Sequence, residues 1–414
     1  MKFFNFFFLL SVFLDMSQIQ LLFPILGALQ TQKIVIGLAM FGIISQPALI
    51  DNIRNAMNTP TIGVLIFLVA WILLSVPFGV YPGQSLVFIT QSYWKVLITF
   101  LLVIAYVSTM DDVGNLVWVY ISSVGMLAII TILSAGFGRM EINADVYDAN
   151  DTALQFLLAL PFAVWKFKSL TGYKRLIALL IALILLIGIV KTDSRGGFLG
   201  LVAVVLVIML QLKTLEKRSL FGIFFMLAMV GCGFLYLADA AYIERISTML
   251  TPSQDYNTAS STGRLQIWDR GIQMMFMNPI LGVGVYNFMS AEGMIFAEIG
   301  ARYQAAHNSF VQVGAELGIP GLVAFCLLIW RTLKNIRSLS AAEIISNKKI
   351  TESKNLVATY SITGAITAFV VSGFFLSAAY ITSLYFLLAM AVAIFSANHI
   401  HAKVIKQEKM FTEY

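Results

Sequence analysis

The chain has 414 residues, of which 59% are hydrophobic and only 12% are charged, about half of the roughly 25% charge that a soluble domain carries. This composition excludes an ordinary soluble protein and predicts an all-α polytopic membrane protein. The formal net charge of +6 first reflects the orientation of such a chain in its membrane.

Apolar runs that are long enough to cross a hydrocarbon layer of about 30 Å recur along nearly the whole chain. We predict twelve transmembrane helices. The first run, FFNFFFLLSVFL, lacks the short basic region and the cleavage site of a signal peptide, so it is counted as a span. The predicted spans lie near residues 3–17, 20–48, 60–78, 92–109, 113–135, 151–166, 175–192, 196–212, 219–238, 309–331, 355–376 and 380–397.

These spans divide the chain into four parts. Residues 1–238 form nine transmembrane helices, 239–306 form one large helical loop outside the membrane, 307–397 form three more spans, and 398–414 form a tail. If Lys2 is cytoplasmic, most of the 27 Lys and Arg residues fall on the cytoplasmic side, as the positive-inside rule requires. Both termini are then cytoplasmic, and the large loop lies on the outer face.

The stretch TDSRGGFLG, residues 192–200, joins two predicted spans on this outer face. Ser194 is a candidate N-cap for the second span, and the two glycines allow close approach of the backbone. A charge at membrane depth is costly, so Arg195 is expected to have an anionic partner. The alternative is an interfacial arginine that pairs only with Asp193.

Within the large loop, STGRLQIW places Arg264 at the start of a predicted helix that ends at Asn278. Backbone N–H groups at a helix start are unpaired and carry partial positive charge, so an arginine beside them suits a phosphate group. The alternative is a surface arginine of an extramembrane loop.

The motif AHNSF places His307 where the large loop re-enters the membrane, with Asn308 or Ser309 as the helix cap. A histidine with an ordinary pKa of about 6.5 transfers protons near neutral pH and is a candidate general base. The alternative is a histidine that only caps the helix. The other two histidines, His399 and His401, lie in the tail.

Glu316 lies nine residues beyond His307 and would face away from it on an ideal helix. Direct pairing would need a bend at Gly314 or within GIPG, residues 318–321. A buried acid needs a partner, and we expect Glu316 to bind an arginine or backbone N–H groups at the glycine-rich break.

No motif predicts a metal site. The segment DVYDAND, residues 145–151, holds three aspartates, but Asn150 or Asp151 is more simply the N-cap of the following span. The only two cysteines, Cys232 and Cys326, lie inside predicted spans, where packing is the simplest role.

Four motifs in this order, SRGGFLG, STGRLQIW, NPILGVGVYNF and AHNSFVQVGAELGIPGL, on a background of many spans, resemble the O-antigen ligase and O-antigen polymerase superfamily of bacterial inner-membrane glycosyltransferases. The motifs cover roughly residues 150–331. DANDTALQFLLALP and HNSFVQVGAELGIPG are also similar to the O-glycosylation ligases encoded with exosortase systems. The match to the superfamily is specific, whereas the match to a subfamily is not.

The resemblance implies a metal-independent transferase with no cofactor, which moves a glycan from undecaprenyl diphosphate to an acceptor hydroxyl on the periplasmic face. The acceptor implied is lipid A core, another lipid-linked repeat or a protein hydroxyl. By motif, Arg195 and Arg264 would bind the donor diphosphate and His307 would activate the acceptor. Ser194, Asn308 and Glu316 would support these three residues.

Other functions remain open from the sequence. Within the superfamily, the chain is a ligase to lipid A core, a repeat-unit polymerase or a protein O-oligosaccharyltransferase. A transporter of lipid-linked sugar also needs many spans and intramembrane arginines, but it has no need of a long outer loop with a histidine at its end. A purely structural membrane scaffold would need neither His307 nor Arg195.

Overall fold

The computed structural model describes residues 2–134, 148–213, 240–247, 263–299, 303–345 and 353–412, with the isolated positions 231 and 238. Within these ranges the regular structure is helical and contains no strand, which confirms the all-α prediction. The helices are α1 (Lys2–Ser17), α2 (Pro24–Ala28), α3 (Thr31–Ile44), α4 (Pro47–Met57), α5 (Pro60–Ser75), α6 (Pro82–Phe88), α7 (Trp94–Tyr106), α8 (Met110–Ser134), α9 (Ala149–Ser169), α10 (Gly172–Lys191), α11 (Arg195–Lys213), α12 (Ala240–Ser247), α13 (Arg264–Met277), α14 (Phe288–Ile295), α15 (Ser309–Ile345), α16 (Lys354–Ser372) and α17 (Thr382–Thr412).

Seven helical stretches in the described ranges are long and apolar enough to cross a membrane, or eight if one bent pair is a single span. They match seven of the twelve predicted spans, and the chain is a multi-pass membrane protein. The seven are Pro60–Phe78, Pro82–Tyr106, Met110–Leu133, Gly172–Lys191, Ser309–Ala341, Lys354–Ser372 and Thr382–His399.

The other five predicted spans have different outcomes. The run at 3–17 is helix α1, of 16 residues, and the run at 196–212 contains the shorter apolar helix Arg195–Gln211. The run at 20–48 is divided among α2, α3 and the first residues of α4, and α3 and α4, which meet at 92°, are the bent pair. The predicted span 219–238 falls outside the described residues, apart from positions 231 and 238.

The fifth of these, at 151–166, is helix α9, which lies at the centre of the bundle. It packs against α8, α10, α11 and α16, and all of residues 152–163 are buried. A helix that is buried on every face is enclosed by other helices. Polar side chains such as Thr152 and Gln155, both buried, lower the hydropathy of α9, which is why it is not among the seven.

Helix α15 is broken in its middle. Gly318 has a φ of 68° and a ψ of −171°, and Pro320 follows two residues later, so the helical hydrogen-bond pattern stops here. The sequence named GIPG as a possible bend, and the break is at the first residue of that motif.

The glycine loop, residues 278–287, supplies hydrogen bonds to the broken helix. The N–H of Val283 donates to the carbonyl of Ala315 at 2.8 Å, and the N–H of Gly284 donates to the carbonyl of Glu316 at 3.0 Å. The Trp71 indole donates to the next carbonyl, that of Leu317, at 2.9 Å. The carbonyls that the break leaves without helical partners are therefore satisfied.

Candidate functional site

Four helix starts lie around one turn of the chain, residues 373–378, which joins α16 to α17 and is called here the central turn. Each of these helix starts carries one or more of the residues that the sequence singled out. Since the N-terminus of a helix carries partial positive charge, such a grouping favours the binding of an anion.

Helix α9 is capped by Asp148. Its Oδ1 accepts hydrogen bonds from the N–H of Asn150 at 2.6 Å and of Asp151 at 2.9 Å. The prediction that Asn150 or Asp151 is the cap was therefore wrong by two or three residues. The Asn150 side chain instead accepts a hydrogen bond from the Ser194 hydroxyl at 2.6 Å, which joins the starts of α9 and α11.

Helix α11 begins at Arg195, and its N-cap is Ser194, as the sequence predicted. The Ser194 Oγ accepts a hydrogen bond from the N–H of Gly197 at 2.9 Å. A Cβ on Gly197 would lie 2.9 Å from the Cβ of Ala153 on α9, so glycine permits this close packing. Arg195 itself is half-buried.

The start of α11 also contacts the central turn and helix α12. A Cβ on Gly196 would lie 3.1 Å from the Cβ of Phe375 in the central turn. The Tyr242 hydroxyl of α12 donates to the Ser194 carbonyl at 2.8 Å. A helix of the predicted extramembrane segment is therefore fixed beside Arg195.

Helix α13 begins at the half-buried Arg264, as predicted. One turn later, the Trp268 ring lies 6.4 Å, centroid to centroid, from the ring of Phe375. The start of α13 thus reaches the same residue of the central turn that packs against Gly196, next to Arg195.

His307 precedes helix α15 and has a φ of 47°, a left-handed conformation that is uncommon for a residue other than glycine. Its N–H donates to the Ser377 Oγ of the central turn at 2.8 Å. The helix cap is Asn308, whose Oδ1 accepts from the N–H groups of Phe310 at 2.9 Å and Val311 at 3.1 Å. Capping by Asn308 leaves the half-buried imidazole of His307 available for another role.

Burial, together with a neighbouring positive charge, lowers the basicity of His307. Burial lowers the pKa of His307 below its usual value, the positive charge of Arg264 lowers this pKa further, and Asp148 acts in the opposite direction. Arg264 and Asp148, from two different helix starts, are therefore close enough to act electrostatically on the imidazole. A lowered pKa keeps the imidazole neutral at pH 7, which is the form that accepts a proton.

The next residue, Ser309, fixes the central turn itself. Its N–H donates to the carbonyl of Gly373 at 2.7 Å, its hydroxyl donates to the carbonyl of Leu376 at 2.7 Å, and its Oγ accepts from the N–H of Ala378 at 2.9 Å. One serine thus holds both ends of the turn. The sequence had named Ser309 only as a possible cap, and this role was not predicted.

Glu316 is buried below this site and has the kind of partner that we expected. Its carboxylate accepts from the backbone N–H of Phe288 at 3.3 Å and from the Tyr380 hydroxyl at 2.8 Å. These bonds join Glu316 to the first residue of α14 and to the chain just beyond the central turn, and Gln312 of α15 donates to the same carboxylate at 3.5 Å. Glu316 supports the site from below, and it contacts His307 in no described hydrogen bond.

A buried ion pair within the large loop was not predicted. The Arg270 Nη2 of α13 lies 2.8 Å from the Glu292 Oε1 of α14, and both side chains are almost fully buried. The second carboxylate oxygen of Glu292 accepts from the N–H of Gln304 at 3.2 Å. Through Glu292, α13, which carries Arg264, is connected to the segment that leads into His307.

Across the part of the chain that the structure describes, no group of three or more His, Cys, Asp or Glu side chains could hold a metal ion. Of the predicted site residues, the structure brings together Ser194, Arg195, Arg264, His307 and Asn308 around the central turn, and it places Glu316 one layer below.

Residues 180–326 match the O-antigen ligase family model. The matched stretch contains Arg195, Arg264, His307 and Glu316, and it confirms the resemblance to the O-antigen ligase superfamily that the four motifs indicated. No curated protein matches the chain.

Proposed function

We propose that this chain, whose residues 180–326 match the O-antigen ligase family model, is an enzyme of the ligase and polymerase type that transfers a glycan from undecaprenyl diphosphate to an acceptor hydroxyl. We propose an O-antigen ligase, with lipid A core as the acceptor. The observation that carries the proposal is the grouping of His307, Arg195 and Arg264 around the central turn, because each residue type suits one part of this reaction.

The two arginines suit the diphosphate of the donor. A guanidinium group binds phosphate oxygens through two parallel hydrogen bonds, and it neutralises the charge that develops on a leaving diphosphate without a metal ion. Arg195 and Arg264 are each half-buried at a helix start, where backbone N–H groups add to the positive potential. We propose that both bind the donor diphosphate.

His307 suits the activation of the acceptor. In the proposed step the acceptor oxygen forms a bond to the anomeric carbon as the bond from that carbon to the diphosphate oxygen breaks. The acceptor proton goes to the neutral imidazole, and the electron pair of the broken bond stays on the diphosphate. Stabilisation of the leaving group lies with the arginines, and His307 acts only on the proton.

We propose a single displacement that inverts the anomeric centre. A retaining mechanism needs a carboxylate nucleophile about 5 Å from a second carboxyl group. Asp148 is the carboxylate that acts electrostatically on His307, and its Oδ1 caps α9 by accepting the N–H groups of Asn150 and Asp151. We therefore do not assign it the role of a nucleophile. Product with the anomeric configuration of the donor would contradict this proposal.

The distribution of Lys and Arg supports cytoplasmic termini and a site that faces the periplasm. The match to the O-antigen ligase family supports the bacterial inner membrane as the location that we propose. On the side proposed as cytoplasmic, Lys354 pairs with Asp111 at the start of α8. Labelling of single cysteines placed at Lys33 and at Lys334 in intact spheroplasts tests this orientation, since only the cysteine at 33 is expected to react.

The test of function is transfer by purified protein in liposomes that contain undecaprenyl-diphosphate glycan and lipid A core. Wild-type protein should form the glycan-bearing lipid A, and His307→Ala should abolish it while binding of the donor persists. Products on lipid-linked repeats or on a protein would instead identify a polymerase or a protein O-oligosaccharyltransferase. Movement of the donor across the bilayer with no new glycosidic bond would contradict an enzyme and identify a transporter.

A further inference from the structure

A polar cavity lies in the bundle, where the first part of the chain meets the residues that follow the central turn. Its volume is about 210 Å³, which is room for roughly seven water molecules. Its polar lining comes from five separate segments and includes Asp15, Gln32, Ser92, Lys95, Gln155 and Ser383.

The cavity is at the His307 end of the bundle. Gln155 lies on α9, within two turns of the Asp148 cap, and Ser383 is in the first turn of α17, just after the central turn. Tyr380, whose hydroxyl donates to Glu316, also lines the cavity. The wall of this cavity is thus continuous with the residues that support His307.

Its polar groups are only partly satisfied by one another. Gln32 donates its amide to Asp15 Oδ1, and the Ser383 hydroxyl donates to Gln155 Oε1. Among the described residues, this leaves acceptors on Asp15 and Gln32 and donors on Gln155 and Lys95. The lining also holds the hydroxyl groups of Ser92 and Thr382, which both donate and accept. Lys95 makes no ion pair within the described chain, and Asp15 lies near enough to interact with it electrostatically.

The charges and the hydrogen-bonding groups of the cavity indicate which class of ligand it binds. One carboxylate and one ammonium cancel in charge, so the cavity does not favour an anion such as diphosphate. Donors and acceptors side by side suit neighbouring hydroxyl groups, each of which both donates and accepts. The hydroxyl of Tyr380 is occupied by Glu316, so this side chain adds no free polar group to the cavity.

We propose that this cavity, called here the Lys95 cavity, is a subsite for one neutral pyranose unit of the glycan substrate. The proposal rests on the proposed glycosyl transfer, since it names the part of the substrate that is held beside the reacting groups. The pyranose belongs either to the donor glycan or to the acceptor, and the experiment below distinguishes these sources.

Binding is measured first, without any transfer reaction. Full-length protein in nanodiscs is titrated with methyl α- and β-pyranosides of glucose, galactose, mannose and N-acetylglucosamine, and saturation-transfer NMR reports contact. At least one pyranoside should bind, and Lys95→Met and Asp15→Asn should each weaken it about tenfold, as expected for loss of a charged hydrogen bond. Lys33→Met is the matched control, because Lys33 is exposed on α3 next to Gln32 and does not line the cavity.

Two results would overturn the proposal. One is the absence of binding by every pyranoside to wild-type protein, and the other is equal binding by wild type, Lys95→Met and Gln155→Leu when all three unfold at the same temperature. His307→Ala should bind the sugar as wild type does. If the wild type makes no glycosidic bond yet binds the sugar through Lys95, the proposed function has failed and the subsite has not.

Steady-state transfer identifies the source of the sugar. Lys95→Met should raise KM about tenfold for one substrate and change kcat less than twofold. A rise for undecaprenyl-diphosphate glycan assigns the cavity to the donor, and a rise for the acceptor assigns it to the acceptor. Unchanged KM values for both substrates would contradict the subsite.

Discussion

The substitution Gly282→Ala tests whether the glycine loop and the broken helix α15 stabilise each other. Gly282 has a φ of +66°, and a Cβ there would lie 2.3 Å from the carbonyl carbon of Glu316 and 2.5 Å from the carbonyl oxygen of Ala315. These neighbours are backbone atoms, so the loop must move away. The movement breaks the hydrogen bonds that Val283 and Gly284 donate to the broken helix.

The expected cost follows from these two effects. A left-handed conformation costs a residue with a Cβ about 1 to 2 kcal/mol, and each buried group left without its hydrogen bond costs about 1 to 3 kcal/mol. Gly282→Ala should therefore lower the free energy of unfolding by roughly 3 to 8 kcal/mol. Gly172→Ala is the matched control, because Gly172 has a φ of +62° but nothing within 4 Å of a Cβ, so only the conformational cost of about 1 to 2 kcal/mol applies.

The measurement is reversible unfolding in mixed micelles, followed by tryptophan fluorescence, for wild type and both variants. Trp71 donates to the carbonyl next to the break, so its emission reports on this region. Equal destabilisation by Gly282→Ala and Gly172→Ala would refute the reasoning, because it would mean that the contacts with α15 contribute nothing.

Three further predictions concern the site. Arg264→Met should raise the pKa of His307 and move the acidic limb of the kcat/KM profile to higher pH. Asp148→Asn, which keeps the cap, should lower this pKa and move the acidic limb to lower pH. Shifts of the limb in the same direction for both variants would contradict the prediction. Arg270→Met should lower the free energy of unfolding by about 3 to 5 kcal/mol, because it leaves Glu292 buried without its cation. The double variant Arg270→Met, Glu292→Met should lose less, and equal losses in the single and the double variant would argue against the pair. Chelation by EDTA should leave the rate of transfer unchanged, and loss of activity that added metal restores would overturn the metal-independent mechanism.

Features that depend on a few neighbouring residues could be predicted from the sequence. The cap by Ser194, the helix that begins at Arg264, the break within GIPG and the bonding of Glu316 to a backbone N–H were all anticipated. Each follows from local rules for helix starts, glycine and buried charge. The cap of α9 was missed because three candidate residues stand within four positions and local rules do not separate them.

Contacts between distant parts of the chain could not be predicted in this way. The Ser377 hydroxyl meets the His307 N–H across 70 positions, and nothing in FFLSAAY, residues 374–380, marks it as the centre of the site. The sequence alone places Arg270 and Glu292 as surface charges on two separate helices, and it does not indicate that they form a buried pair. The interior position of α9 could not be predicted from its modest hydropathy. A helix that is enclosed by protein has no lipid-facing side chains, so it can carry polar residues.

The attachment of the glycine loop to α15 limits how this enzyme can be divided. A core of Ile267, Met274, Val283 and Phe288 is completed by Ala315, which belongs to the transmembrane helix, and Ser85 binds the Val285 carbonyl from another helix. A fragment that carries only residues 239–306 would expose this core and leave the membrane helix with open carbonyls. Chimaeras that exchange the loop between related proteins must therefore also exchange the broken half of α15. They must exchange Trp71, which donates to α15, and Ser85, which donates to the loop, as well.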